Sequence, residues 1–166
     1  MKTYILMLAK NYLAEHPKKG KATSFETKVR NAIAVANGKA RLEGDFPTAL
    51  KYHTCREDYF KWKKIFDEIL RGDACLSIRQ WEGLPRRSKA IEILRLTKDN
   101  CIGLQRLDFV FDKSGKSYIT MIDNKVIPVD KIANNDGLTL PDWQAWFKKA
   151  DLTQPMAVIQ FTQFRY

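Results

Sequence analysis

The sequence predicts an α+β fold: a small open β-barrel or strongly bent sheet with about three flanking helices. Three observations lead there. Many short segments alternate apolar and polar residues at period two, three segments carry helical spacing between recognisable caps, and no regular strand-helix-strand alternation builds a parallel sheet.

Tyr4-Ile5-Leu6-Met7-Leu8 reads as the first strand, followed by a polar loop through His16-Pro17-Lys18-Lys19-Gly20. Thr23-Ser24-Phe25-Glu26 has the spacing of a capping box, in which hydroxyl and carboxylate satisfy each other's free backbone donors. Phe25, Val29, Ala32, Ile33 and Ala36 then recur at helical spacing, and Asn37-Gly38 supplies a left-handed stop. Lys39–Pro47 reads as a loop, and Leu50–Arg56 as a short basic strand. Asp58 begins a second helix whose Tyr59, Trp62, Ile65, Phe66, Ile69 and Leu70 form one apolar stripe closed by Gly72.

Ala74–Arg79 is expected to be a strand that runs into a cationic loop, Gln80–Lys89. Two more strands follow at Ala90–Leu96 and Ile102–Phe111. Lys113-Ser114-Gly115 turns the chain into Ser117–Ile122, and Asp123-Asn124 turns it again into Lys125–Val129, where Pro128 argues for a sheet edge. Thr139-Leu140-Pro141-Asp142 opens a third helix with Trp143, Trp146 and Phe147 on its apolar face, and Met156–Phe164 closes the chain as a strand. There is no repeat, low-complexity tract or linker, so residues 1–166 are expected to form one domain.

The chain has 166 residues, 45% of them hydrophobic and 29% charged, enough to bury a core without disulfides or metal. No apolar run approaches the roughly 20 residues that span a bilayer, which excludes a transmembrane helix. The start, Met1 to Ala9, imitates a signal peptide, but Lys10, Asn11 and Glu15 interrupt it. Cys55, Cys75 and Cys101 are odd in number and widely spaced, so neither disulfides nor zinc are expected, and the setting is expected to be cytoplasmic. A formal charge of +10 draws such a chain toward phosphate-bearing partners: nucleic acid, nucleotides or a membrane surface. The helices do not pair one basic face with one broad apolar face, which argues against the membrane.

Two stretches carry candidate chemistry. In Leu50-Lys51-Tyr52-His53-Thr54-Cys55-Arg56, period-two geometry puts Lys51, His53 and Cys55 on one side and Tyr52, Thr54 and Arg56 on the other, unless a bulge re-aims one. His53 is the group there that titrates near neutral pH, which raises RNA cleavage as one possible activity. In the second stretch, Trp81 lies among Arg79, Arg86, Arg87 and Lys89, the combination that single-stranded nucleic acid uses through stacking and phosphate pairing. The bland alternatives are a solvated basic edge strand and a tryptophan folded onto the core.

The helix Phe25–Gly38, the Lys51-x-x-Thr54-x-Arg56 strand, Ala90-Ile91-Glu92-Ile93, the segment Asn134–Trp143 and Val158-Ile159-Gln160-Phe161 together resemble an ASCH domain, a family of the PUA-like β-barrels. The resemblance covers most of residues 24–164, with Lys39–Ala49 and Glu57–Lys89 as enlargements. It implies an open barrel with a cleft beside the Lys51 strand, and RNA, nucleotides or modified nucleosides as partners; separately, no cofactor is expected. A small member of the family is an amidohydrolase that deacetylates N(4)-acetylcytidine with a lysine, a threonine and a glutamate. The resemblance carries these roles to Lys51, Thr54 and Asp136, the last an aspartate where the family has a glutamate. In the binding alternative, Lys51, Arg56, Arg79, Arg86, Arg87 and Lys89 line a phosphate-complementary cleft and Trp81 stacks on a base.

Overall fold

The computed structural model describes residues 1–39, 50–100 and 102–166. Apart from Lys39, the loop expected at Lys39–Pro47 lies outside the described residues, as does Cys101. The fold is α+β, with four helices and two sheets among the described residues. The first sheet has the order β1-β3-β4, with β1 (Lys2–Leu8) parallel to β3 (Ala74–Trp81) and β4 (Ala90–Leu96) antiparallel to β3. The second has the order β2-β8-β5-β6-β7 and is antiparallel throughout. Its strands are β2 (His53–Arg56), β5 (Gly103–Phe111), β6 (Tyr118–Ile122), β7 (Lys125–Val126) and β8 (Met156–Gln160). The described strands pair as two separate sheets and do not close into a barrel.

The pairing of β1 with β3 spans the whole of β1, from Lys2 opposite Ala74 to Leu8 opposite Gln80. A parallel pair needs a long crossover. Here it contains α1 (Phe25–Ala36), β2 and α2 (Tyr59–Arg71), so β2 leaves the first sheet to join β8 in the second. The α2 helix forms as its sequence dictates: Asp58 accepts from the Lys61 amide, Gly72 closes it at φ 88, and Trp62, Ile65, Phe66 and Ile69 are buried. Leu70 leaves the stripe and is 56% exposed. Both sheets contribute to one apolar core that includes Leu6, Leu76 and Ile78 from the first and Leu107, Val158 and Ile159 from the second.

Several local expectations are corrected. Ser24, at φ 57, is the N-cap of α1 and makes no side-chain cap bond. The Thr23 hydroxyl instead donates to the carbonyls of Ala9 and Lys10, so a tertiary contact replaces the capping box. The edge strand foreseen over Lys125–Val129 lasts two residues, because Pro128 precedes an additional helix, α3 (Val129–Asn135). Met156–Phe164 is a strand only to Gln160. At Thr139 the hydroxyl half of the box forms: it accepts from the Asp142 amide and donates to the Asp142 carboxylate at 2.8 Å, opening α4 (Leu140–Trp146) with Pro141 in the first turn.

Candidate functional site

Asp136 is the C-cap of α3, and its backbone bridges Lys51 just before β2 begins. Two further bonds fix the crossing, from the Lys51 amide to the Lys28 carbonyl at 3.2 Å and from the Tyr52 amide to the Asn135 carbonyl at 2.8 Å. Gly137 lets the chains approach this closely. Its φ is +78, and a Cβ there would stand 3.1 Å from the Lys51 Cβ and 3.2 Å from the Lys28 Cδ.

Lys51 and Asp136 form a buried ion pair, at 1% and 2% exposure. The ammonium donates to Asp136 Oδ1 and, at 2.6 Å, to the Asp136 carbonyl, and it lies 4.2 Å from the Phe25 ring centre. Oδ2 accepts from the Trp143 indole at 3.1 Å and from the Cys55 amide at 3.4 Å. Burial pulls the Lys51 pKa below the lysine range, and Asp136 opposes that shift.

The Thr54 side chain joins Lys51 and Asp136 around a cavity of about 10 Å³ that Phe25, Cys55, Arg56 and Trp146 also line. That is room for one water. The Thr54 hydroxyl has no hydrogen-bond partner among the described residues. The alternation expected from Lys51 to Arg56 therefore breaks: Lys51 lies outside the strand and faces the same cavity as Thr54, while the Tyr52 ring packs against Phe164 at 5.3 Å.

His53 is completely buried, and its Nε2 lies 2.8 Å from the Tyr166 hydroxyl, which accepts from Asn135 Nδ2 at 3.0 Å. That set is satisfied by a neutral ring accepting from Tyr166, and burial brings the His53 pKa down to about 4. Ligand atoms of His53, Cys55 and Asp136 lie within 4.8 Å of one another. The set is a poor fit to a cation: the Lys51 ammonium occupies the same carboxylate, and burial holds the Cys55 thiol protonated by raising its pKa.

The larger hollow lies beside this pair. Because β1 and β3 run parallel, their C-terminal ends lie side by side, and the segments that leave them diverge around a cleft of about 550 Å³. Its walls include Tyr12, Trp81, Trp146 and Pro85, with Lys10, Lys19 and Arg56 as cations. The Lys10 ammonium donates to the Glu82 carbonyl at 2.7 Å and so ties one wall to the other. Arg56 and Trp146 line both this cleft and the small cavity, so they stand where the two meet. The Tyr12 ring packs edge-on to Trp146 at 5.9 Å, whereas Trp81 has no ring contact and no partner for its indole N–H among the described residues.

The structure redistributes the residues proposed from sequence. Lys51, Thr54 and Asp136 do converge, but around a space of only about 10 Å³. Arg56 and Trp81 share the open cleft, which Lys51 does not line. Arg79 lies on the β3 surface, where its Nε donates to Ser77 and its guanidinium stands 3.9 Å from Glu92. Arg86, Arg87 and Lys89 are exposed on the loop whose Gly83 and Pro85 form part of the wall, and they have no side-chain partner among the described residues. Tyr12, Lys10 and Trp146 were missed as cleft residues. Lys10 and Tyr12 reach the cleft through the parallel pairing, which brings two loops distant in sequence together, and Trp146 through the position of α4. Comparison with protein-family models, with curated proteins and with solved structures returned no match. No helix among the described residues is long and apolar enough to cross a membrane.

Proposed function

We propose that the protein binds single-stranded RNA or a nucleotide in the cleft between Trp81 and Arg56. The observation that carries this reading is a cleft of about 550 Å³ with an unpartnered indole on one wall and three cations around it. That volume falls in the range of small-ligand sites, and aromatic walls with cations match a base and its phosphate. The same reading makes the chain an ASCH-type domain of the PUA-like class, with the two sheets as the walls of an open barrel.

Electrophoretic titration with single-stranded RNA tests the proposal. If Lys10, Lys19 and Arg56 each neutralise one phosphate, log K falls against log salt with a slope of about −2. Binding that is absent or insensitive to salt refutes it.

A second reading, hydrolysis of a nucleoside amide, is favoured by one observation: Lys51, Thr54 and Asp136 surround the same cavity. For this chemistry Lys51 would first have to release a proton from its pair with Asp136, a loss that burial eases, and then take the Thr54 proton as Oγ attacks the amide carbon. The C–N bond would then break with the proton delivered to the leaving amine, and water would release the acyl group from Thr54. Space for one water counts against this reading, since the substrate's acyl group needs more room. Incubation with N(4)-acetylcytidine and chromatography of the products decides it: acetate release by wild type but not by Thr54→Ala supports hydrolysis, and no release removes it. RNA cleavage through His53 is not proposed, because its ring is buried and lines neither cavity.

A further inference from the structure

We infer that the cleft takes a terminal phosphate: its ligand is a nucleotide phosphomonoester, with the phosphate on Arg56 and the base on Trp81. The inference rests on the nucleotide-binding reading and narrows it.

Arg56 ends β2 and is partly buried. Its guanidinium donates to the Met7 carbonyl at 2.7 Å and the Cys55 carbonyl at 3.3 Å, which fixes its plane against β1. Its remaining donors have no partner among the described residues, and no described carboxylate lies within 4.0 Å of it. The other partly buried arginines differ: Arg79 faces Glu92 and Arg106 holds Asp108. The Asp136 carboxylate favours the Arg56 charge through space but does not bond to it, being held by Lys51, Trp143 and the Cys55 amide. Arg56 thus presents to the cleft a partly buried, pre-oriented fork of donors with no carboxylate bound to it, the arrangement that recognises an anion through two parallel bonds.

The position of that fork decides which phosphate fits. Arg56 lines the cleft on the side of the small cavity, whose volume of about 10 Å³ takes one water and gives a nucleotide chain no way on. An internal phosphodiester carries chain on both sides and needs an exit there. A terminal phosphate carries chain on one side only, and brings up to two negative charges to a fork that has no carboxylate. Lys10 and Lys19 line the same cleft and add to the field, and Trp81 supplies the free aromatic face.

Titration of Trp fluorescence with nucleoside monophosphates, the matching nucleosides, and one single-stranded RNA either phosphorylated at both ends or stripped of its end phosphates tests the inference. The wild type is expected to bind monophosphates about ten- to a hundredfold tighter than nucleosides, the range for charge-assisted bonds. Arg56→Gln is expected to erase that ratio while leaving nucleoside affinity in place, and Arg56→Lys to restore part of it. Tighter binding of the free monophosphate than of the phosphorylated RNA assigns the site to free nucleotides, and equal binding assigns it to strand ends. A wild-type ratio near one overturns the inference without any variant. Equal, tight binding of phosphorylated and stripped RNA also overturns it but leaves RNA binding intact, and binding of none of these probes overturns both.

Discussion

Lys51→Met isolates what the buried ion pair does. The substitution keeps an unbranched apolar stem of similar length and removes the ammonium, leaving the Asp136 carboxylate at 2% exposure with only the Trp143 indole and the Cys55 amide as donors. Removing one partner of a buried pair costs about 3–5 kcal/mol, because the remaining charge stays desolvated. For a chain of this size that corresponds to a fall in Tm of roughly 6–20 °C, at about 2–4 °C per kcal/mol. Lys51→Met/Asp136→Leu removes both charges and is expected to recover most of the loss, so the double-mutant cycle gives a coupling of several kcal/mol.

Asp136→Asn gives a check of opposite sign. Without the carboxylate, burial pulls Lys51 still further below its ordinary 10.5, so the unfolded chain binds more protons than the folded one, and the variant gains stability relative to wild type as pH rises toward that value. Urea denaturation followed by circular dichroism reads all three variants. A Lys51→Met stability within about 1 kcal/mol of wild type, or a double variant as unstable as the sum of the singles, refutes the reasoning.

Three further outcomes are expected. His53 is held neutral, its pKa lowered from 6.5 to about 4, so the unfolded chain binds the extra proton first; stability present above pH 6.5 is lost as pH falls toward 4, by about 3 kcal/mol at 1.36 kcal/mol per unit. In urea midpoints across that range His53→Gln should flatten the slope, and an unchanged slope contradicts the assignment. Gly137→Ala forces a side chain onto φ +78 and against the Lys51 Cβ, which is too close to the backbone to move aside; a loss of about 1–3 kcal/mol is expected, and a loss below about 0.5 kcal/mol refutes it. Trp81→Ala removes a stacking surface worth about 1–3 kcal/mol and is expected to weaken RNA binding roughly 5- to 150-fold with little change in Tm, since the ring has no aromatic partner; undiminished affinity rules out Trp81 as the platform.

Where structure follows from local chemistry, the sequence is readable. Asp58 and Gly72 bound α2, Thr139 opens α4, and Asp123-Asn124, both at positive φ, turn β6 into β7. The sequence reading fails where a distant segment competes. Thr23 misses its capping box because α1 starts one residue later, with Ser24 as N-cap, and its hydroxyl is held by the carbonyls that follow β1, while α3 is hidden behind a proline that suits a sheet edge as well as a helix start. The local pattern leaves Lys51 open between a solvated edge cation and a site residue, and the resemblance groups it with Asp136, but nothing local announces that Asp136, supplied by the end of an unforeseen helix, pairs with it in the core. The cleft is legible only in part: Trp81 and Arg56 carry a composition signal, while Lys10, Tyr12 and Trp146 reach it through the parallel pairing of β1 with β3 and the position of α4.

The four tryptophans provide the most direct test of nucleotide binding in the cleft. Trp81 and Trp146 line it, whereas Trp62 and Trp143 are buried in the core. In a proton–nitrogen correlation spectrum followed during titration with a nucleoside monophosphate, the indole signals of Trp81 and Trp146 should move together along one saturable curve while those of Trp62 and Trp143 stay in place. Four stationary indole signals, or shifts confined to Trp62 and Trp143, would contradict the account.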